Sequence, residues 1–211
     1  MISIYQLKPA FQGLLRPLVR RLAAAGVTAN AVTLLAMAIS ILIGGWLCIA
    51  GRASPAWYLL VPLWMFLRMA LNAVDGMLAR EFGQKTPLGA YLNELSDVVS
   101  DAALYLPFAW VAPFGWQTVC LVIGLSVVSE MAGALGPMVG APRQYDGPMG
   151  KSDRAFLFGA LGLWAGLAGG TLPDWVFWIM AITVPLCILL NIFNRVRGGL
   201  VAISTSSRKE S

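Results

Sequence analysis

The chain has 211 residues, 58% of them hydrophobic and only 12% charged, with a mean hydropathy of +0.74 and a net charge of +5. A soluble domain usually carries about twice that charged fraction, and at about 20 apolar residues per span the length accommodates five or six membrane helices but no large soluble domain. Histidine is absent, which excludes Ser-His-Asp and Cys-His devices, HExxH zinc sites and phosphohistidine chemistry and leaves carboxylates, amides, cations and bound metal.

In residues 1–25, Leu7, Phe11, Leu14, Leu15, Leu18 and Leu22 recur at spacings of three and four, while Lys8, Arg16, Arg20 and Arg21 occupy other faces. This pattern predicts an interfacial amphipathic helix, broken at Pro9 and Pro17. Thr28 or Asn30 then caps a first span over 30–50. Further spans are expected at 55–79, 88–111 and 116–139, and, after a polar segment at 140–153, at 154–167 and 175–194. The predicted fold is an all-α integral membrane protein: a juxtamembrane helix (1–27), a six-helix transmembrane domain (28–197) and a polar cytoplasmic tail (198–211).

Six spans place both termini on one side. Thirteen of the 15 Lys and Arg residues fall on that side; Arg52 lies on the other and Arg68 within a span. Such asymmetry marks the terminal side as cytoplasmic, so a bacterial-type inner membrane is expected. The basic excess is read as topology rather than nucleic-acid binding, and no signal peptide is evident. Trp57, Trp110, Trp116 and Trp175 near span ends read as an aromatic belt. Gly162, Gly166 and Gly170 read as a ridge for close helix packing. Cys48, Cys120 and Cys187 lie in apolar stretches without CxxC spacing, so no disulfide framework is expected.

Ionisable groups inside spans are functional candidates by default, and here they concentrate in the second and third spans. Asn72, Asp75, Gly76 and Ala79 share one helix face; Gly89, Asn93, Asp97 and Asp101 recur every four residues on the next. A short turn joins the two helices, so these faces can oppose each other, and the small residues leave room between them. Converging carboxylates need neutralisation, and oxygen ligands favour a hard divalent cation, Mg²⁺ or Mn²⁺, which would in turn hold phosphate.

The array Asn72-x2-Asp75-Gly76-x2-Ala79-Arg80-x8-Gly89-x3-Asn93-x3-Asp97 closely resembles the signature of the CDP-alcohol phosphotransferase family, D-x2-DG-x2-AR-x8-G-x3-D-x3-D. Six of its eight fixed positions match at the right spacing. The resemblance implies transfer of a phosphatidyl or similar group from CDP-diacylglycerol, or another CDP-alcohol, to an acceptor hydroxyl with release of CMP, in a homodimeric membrane enzyme of phospholipid synthesis. It further implies that Asp75 is a metal ligand and Asp97 a ligand or the general base. Gly76, Ala79, Arg80 and Gly89 would then border the nucleotide and phosphates. Asn30 and Thr33, in VTANAVTLL, resemble an element near the nucleotide, with helix capping an equal alternative.

Asn72 and Asn93 stand where the family has its first and third aspartates. A carboxamide oxygen ligates a hard cation but adds no charge and bridges two metals poorly. One or two ions therefore remain open, and so does compensation by Glu94, Asp101 or Arg68; the alternative for Arg68 is an ion pair with Glu130. The same substitutions leave a second reading, a membrane protein that binds the CDP-linked lipid without turning it over, and a transporter is a third. The run GPMGKS (147–152) has two residues between its glycines and no preceding strand, unlike a P-loop. Arg143, Lys151 and Arg154 around it either anchor topology or grip an anionic acceptor such as glycerol 3-phosphate. The acceptor itself is not legible in the sequence.

Overall fold

The computed structural model describes residues 4–210, with side chains described for residues 10–205; the side chains of Leu7, Lys8, Arg208 and Lys209 lie outside that range. Among the described residues the chain is helical and contains no β-strand. The first helix, α1 (Ile4–Ala24), runs through both Pro9 and Pro17, where breaks were expected. Each proline removes one ladder bond, and docking offsets the loss. Val19, flanked by Leu15 and Leu22, inserts between α2 (Ala29–Ala50) and α3 (Leu60–Glu81) among Val32, Val74, Met77 and Leu78. Arg16 Nε and Nη2 also grip the Glu81 carboxylate at 3.1 and 2.9 Å. Leu14 and Leu18 face outward.

Thr28 caps α2, its hydroxyl accepting the Ala31 N–H at 3.2 Å, which frees Asn30 from that task. A 3-10 turn (Pro55–Leu59) precedes α3. The following helices are α4 (Pro87–Tyr105), α5 (Gly115–Ala134), α6 (Lys151–Leu167), α7 (Asp174–Trp178) and, after a π turn at Ile179–Thr183, α8 (Val184–Glu210). The π turn ends two residues before Pro185, which has no N–H to give the α-ladder. Residues 198–210, expected as a polar tail, instead continue α8 to Glu210. Gly198 lets that continuation approach the Gln144 side chain; a Cβ there would lie 2.6 Å from Gln144 Oε1.

Among the described residues, four stretches are long and apolar enough to cross a membrane: Ala29–Ala50, Pro55–Glu81, Gly115–Ala134 and Asp174–Thr205. Of the other two expected spans, α4 carries Glu94, Asp97 and Asp101, and α6 has only 17 residues. Large apolar side chains such as Leu35, Leu42 and Ile49 on α2 and Phe66 on α3 face outward. A soluble monomer rarely exposes apolar surface on that scale; this is a membrane protein.

Besides the cluster around Val19, a larger hydrophobic core occupies the half of the bundle away from the termini. Tyr105 stacks on Phe158 with ring centroids 3.8 Å apart, and Phe108 meets both Phe158 and Tyr58 edge-on. The glycine ridge packs within the chain. A Cβ on Gly162 would lie 2.8 Å from Val61 Cβ, and one on Gly166 would lie 2.7 Å from Leu59 Cγ. The eight tryptophans all belong to this half, with Trp57, Trp110, Trp116 and Trp175 exposed and Trp64 inside. Apart from Arg52, whose guanidinium lies over the Trp110 ring, and Asp174 beside Trp175, the described charged groups are left to the other half.

Candidate active site

The turn between α3 and α4 is short because Gly83 adopts a positive φ of 68° and the Thr86 hydroxyl caps α4 by accepting the Gly89 N–H at 2.9 Å. Gln84, in the same turn, accepts the Ala29 N–H at 2.7 Å and donates to the Val27 carbonyl at 3.3 Å. The start of α2 is thereby tied to the hairpin. This brings Asn30 over Gly89, where a Cβ would lie 2.8 Å from Asn30 Oδ1. It also brings Thr33 to Asp75: the buried hydroxyl donates to Asp75 Oδ2 at 2.7 Å. Gly76, beside Asp75, lies under the Arg80 guanidinium, 3.0 Å from where its Cβ would be.

Across the hairpin, Asp97 is held at both carboxylate oxygens. Oδ1 accepts Arg68 Nη2 at 3.2 Å and faces Asn72 Nδ2 at 3.4 Å, while Oδ2 meets the Lys151 ammonium at the start of α6. Arg68 also donates to the Asp97 carbonyl at 3.2 Å and, through Nη1, to Asp101 Oδ1 at 2.5 Å. Asn93 lies half-buried one turn before Asp97. The faces expected from spacing thus do meet, and Asp101 joins them through Arg68.

The alternative reading of Arg68, an ion pair with Glu130, is not what forms: Arg68 pairs with Asp97 and Asp101. Glu130 is instead gripped from three other directions. Arg154 Nη2 lies 2.6 Å from Oε1, Arg195 Nη1 3.3 Å from Oε1, and Arg143 Nη2 3.3 Å from Oε2. Arg143 reaches on to Glu94, so Glu94 pairs there and not with the Asp97 group. Burial lowers the Arg143 guanidinium below its ordinary value. Arg154, expected at an open mouth, is wholly enclosed, its Nη1 donating to the Met149 carbonyl at 2.8 Å. The sequence reading missed Arg195, Ser129 and Asn191 in this cluster. Arg195 Nη1 donates to the Ser129 carbonyl at 2.6 Å and the Ser129 hydroxyl to Asn191 Oδ1 at 2.8 Å. Their signal was available: Asn191 and Arg195 are four apart on one helix face, and Asn191 interrupts the otherwise apolar stretch 184–193.

Asp75, Asp97, Asn72 and Asn93 offer oxygen donors alone, a set suited to a hard divalent cation. Among the described residues no three acidic or thiol side chains gather into a metal-binding group.

Residues 26–189 match the CDP-alcohol phosphatidyltransferase family. The chain belongs to that family. It is 45% identical to the inner membrane protein YnbA of Escherichia coli K12 over 95% of this chain and 98% of that one. It is 30% identical to the phosphatidylinositol phosphate synthase of Mycobacteroides abscessus, over 55% of this chain and 50% of the relative. The archaetidylinositol phosphate synthase of Aeropyrum pernix is also 30% identical, over 50% of this chain and 56% of the relative. The chain thus spans about half the length of these two synthases. Its fold is shared by the phosphatidylinositol phosphate synthase of Mycobacterium tuberculosis, solved with CDP-DAG bound and with manganese and citrate. For each structure the TM-score is 0.68 at 19% identity over 87% of this chain, with 92% and 88% of the two solved chains covered.

Proposed function

We propose that this CDP-alcohol phosphatidyltransferase moves a phosphatidyl group from CDP-diacylglycerol, or a related CDP-alcohol, to an acceptor hydroxyl and releases CMP. The observation that carries the reading is the closure of the motif into one cleft, with Asp75 fixed by Thr33 and Asp97 facing it across the hairpin. Gly76, Ala79 and Gly89 would border the nucleotide, with Arg80 over Gly76 and Asn30 over Gly89 beside it. The acceptor oxygen attacks the phosphorus that bears the diacylglycerol, its proton passes to Asp97, and the bond to the CMP oxygen breaks. A divalent ion held by Asp75 and Asp97 with the amide oxygens of Asn72 and Asn93 would offset charge on the phosphates. Arg68, through Asp97 and Asp101, fixes the base; positioning of this kind supplies much of the rate.

The acceptor enters beside Lys151 and Arg143, and a phosphorylated acceptor would exchange their carboxylate partners for its own oxygens, with enclosed Arg154 behind them. The protein works as a homodimer of six-span subunits in the inner membrane, with α1 at the interface and both termini and the site facing the cytoplasm. The charge asymmetry and the exposed Leu14 and Leu18 of α1 support that orientation.

The test is CMP release by purified protein given CDP-diacylglycerol, Mg²⁺ or Mn²⁺ and a panel of free and phosphorylated alcohols. Release that vanishes in Asp97→Ala is expected; no release with any acceptor refutes the enzyme. The amides at 72 and 93 favour one second reading, a binder without turnover, for which CDP-diacylglycerol would raise the melting midpoint while CMP stays absent.

A further inference from the structure

We infer that the Arg68 guanidinium takes the place of a second metal ion at Asp97, so that the centre accepts a single divalent cation. The inference rests on the metal-dependent reading above. Arg68 is 4% exposed in the middle of α3, and two carboxylates and a carbonyl hold it there: Asp101 Oδ1 at 2.5 Å, Asp97 Oδ1 at 3.2 Å and the Asp97 carbonyl at 3.2 Å. A planar guanidinium fixed on both sides does not swing away as an ammonium on a flexible stem does. Asp97 Oδ1 is therefore committed to N–H donors from Arg68 and, at 3.4 Å, from Asn72. A cation cannot replace them without expelling a buried charge.

The remaining donors suit one ion. Asn72, with its NH₂ on Asp97, keeps one neutral oxygen for a metal, and a neutral oxygen bridges two cations poorly. Thr33 already holds Asp75 Oδ2, leaving Oδ1. Asp97 Oδ2 faces Lys151, whose side chain is 30% exposed and can withdraw into solvent. Charge points the same way. Asp75, Asp97 and Asp101 against Arg68 and Lys151 leave one net negative charge. One divalent ion brings the group to a single positive charge, whereas two would leave three positive charges in a partly buried cleft, which is strongly disfavoured. In place of two carboxylates and a metal, this chain has two amides and a fixed arginine. Arg68 is a positioning residue: it holds Asp97 at Oδ1 and leaves Oδ2 for the chemistry.

Mn²⁺ bound per chain, counted from the resonance of free Mn²⁺ in a titration of purified full-length protein, tests this. Wild type should bind one ion, with or without CMP. Asn72→Asp with Asn93→Asp should still bind one, on the order of tenfold more tightly because ligand charge sets affinity. Adding Arg68→Gln to that pair should raise the count to two. Two ions in wild type, or in the Asn72→Asp/Asn93→Asp protein with Arg68 in place, overturn the inference. The latter protein decides the matter alone should the triple variant fail to fold. Two ions together with full CMP release would overturn the inference and leave the transferase standing. One ion and no CMP release with any acceptor would do the reverse.

Discussion

Replacing Glu130 by Gln isolates one electrostatic device of the fold. Glu130 is 6% exposed and neutralises Arg154 and Arg195, which are 0% and 2% exposed, along with half of the contact made by Arg143. Arg143 keeps Glu94 after the substitution, but Arg154 and Arg195 are left with carbonyl partners only, Met149 and Ser129. Removing one member of a buried ion pair costs about 3–5 kcal/mol, and because the amide still offers one oxygen the lower end applies, about 3 kcal/mol. For a chain of this size each kcal/mol moves the melting midpoint by about 2–4 °C, so Glu130→Gln should melt about 6–12 °C below wild type in detergent. Glu81→Gln serves as the control: it breaks an ion pair that is open to solvent, with side chains 42% and 36% exposed, and should leave the midpoint where it was. A Glu130→Gln midpoint within about 2 °C of wild type would refute the claim that Glu130 is the counter-charge of the arginine cluster.

Thr33→Val removes the hydroxyl from Asp75; a hydrogen bond to a charged group contributes about 1.5–3 kcal/mol, so CMP release should fall by about 10- to 100-fold while Thr33→Ser stays near wild type. Gly162→Leu places a side chain where even a Cβ lies 2.8 Å from Val61, and should separate α6 from the start of α3, seen as lost monodisperse protein on size exclusion. Chelation with EDTA should abolish CMP release, and added Mg²⁺ or Mn²⁺ should restore it. The melting midpoint should move far less on chelation than in Glu130→Gln, because the fold is closed by the chain's own ion pairs.

Most helix positions were legible because membrane spans declare themselves by unbroken apolar length and the first by its cap, Thr28. The motif helices were legible because polar residues at spacings of three and four define a face. Three features were not. The prolines of α1 read as breaks because local rules omit docking, and Val19 anchors the helix through them. The end of α8 read as a tail because its polarity was visible and its neighbour Gln144 was not. The partners of Arg68 and Glu130 failed for a different reason. Depth along a helix can be estimated from the chain, but rotation between non-consecutive helices cannot, so two charges at one level were paired although they face different clusters.

The two clusters share a property that bears on how substrate enters. Every described buried or half-buried cation in the polar half already has an internal carboxylate: Arg68 and Lys151 have Asp97 and Asp101, and Arg143, Arg154 and Arg195 have Glu94 and Glu130. Exposed Arg80 apart, anionic ligands therefore do not meet an open basic pocket; to reach these cations they must exchange with a resident carboxylate, and the exchange is cheapest where the pair is most exposed. Lys151 is 30% exposed and Arg143 and Glu94 are 21% and 32% exposed, whereas Arg68, Arg154 and Arg195 are at or below 4%. The solvated pairs can break with water to receive the freed charges, while the enclosed ones cannot without leaving a bare ion in a dry interior. Lys151 and Arg143 are thus the moving cations, and Arg68, Arg154 and Arg195 the fixed frame. It follows that Lys151→Gln should raise the KM for donor or acceptor with little change in melting midpoint, and that Arg154→Gln should lower the midpoint whether or not substrate is present. A Lys151→Gln protein that melts as low as Arg154→Gln would show that the ammonium is part of the frame.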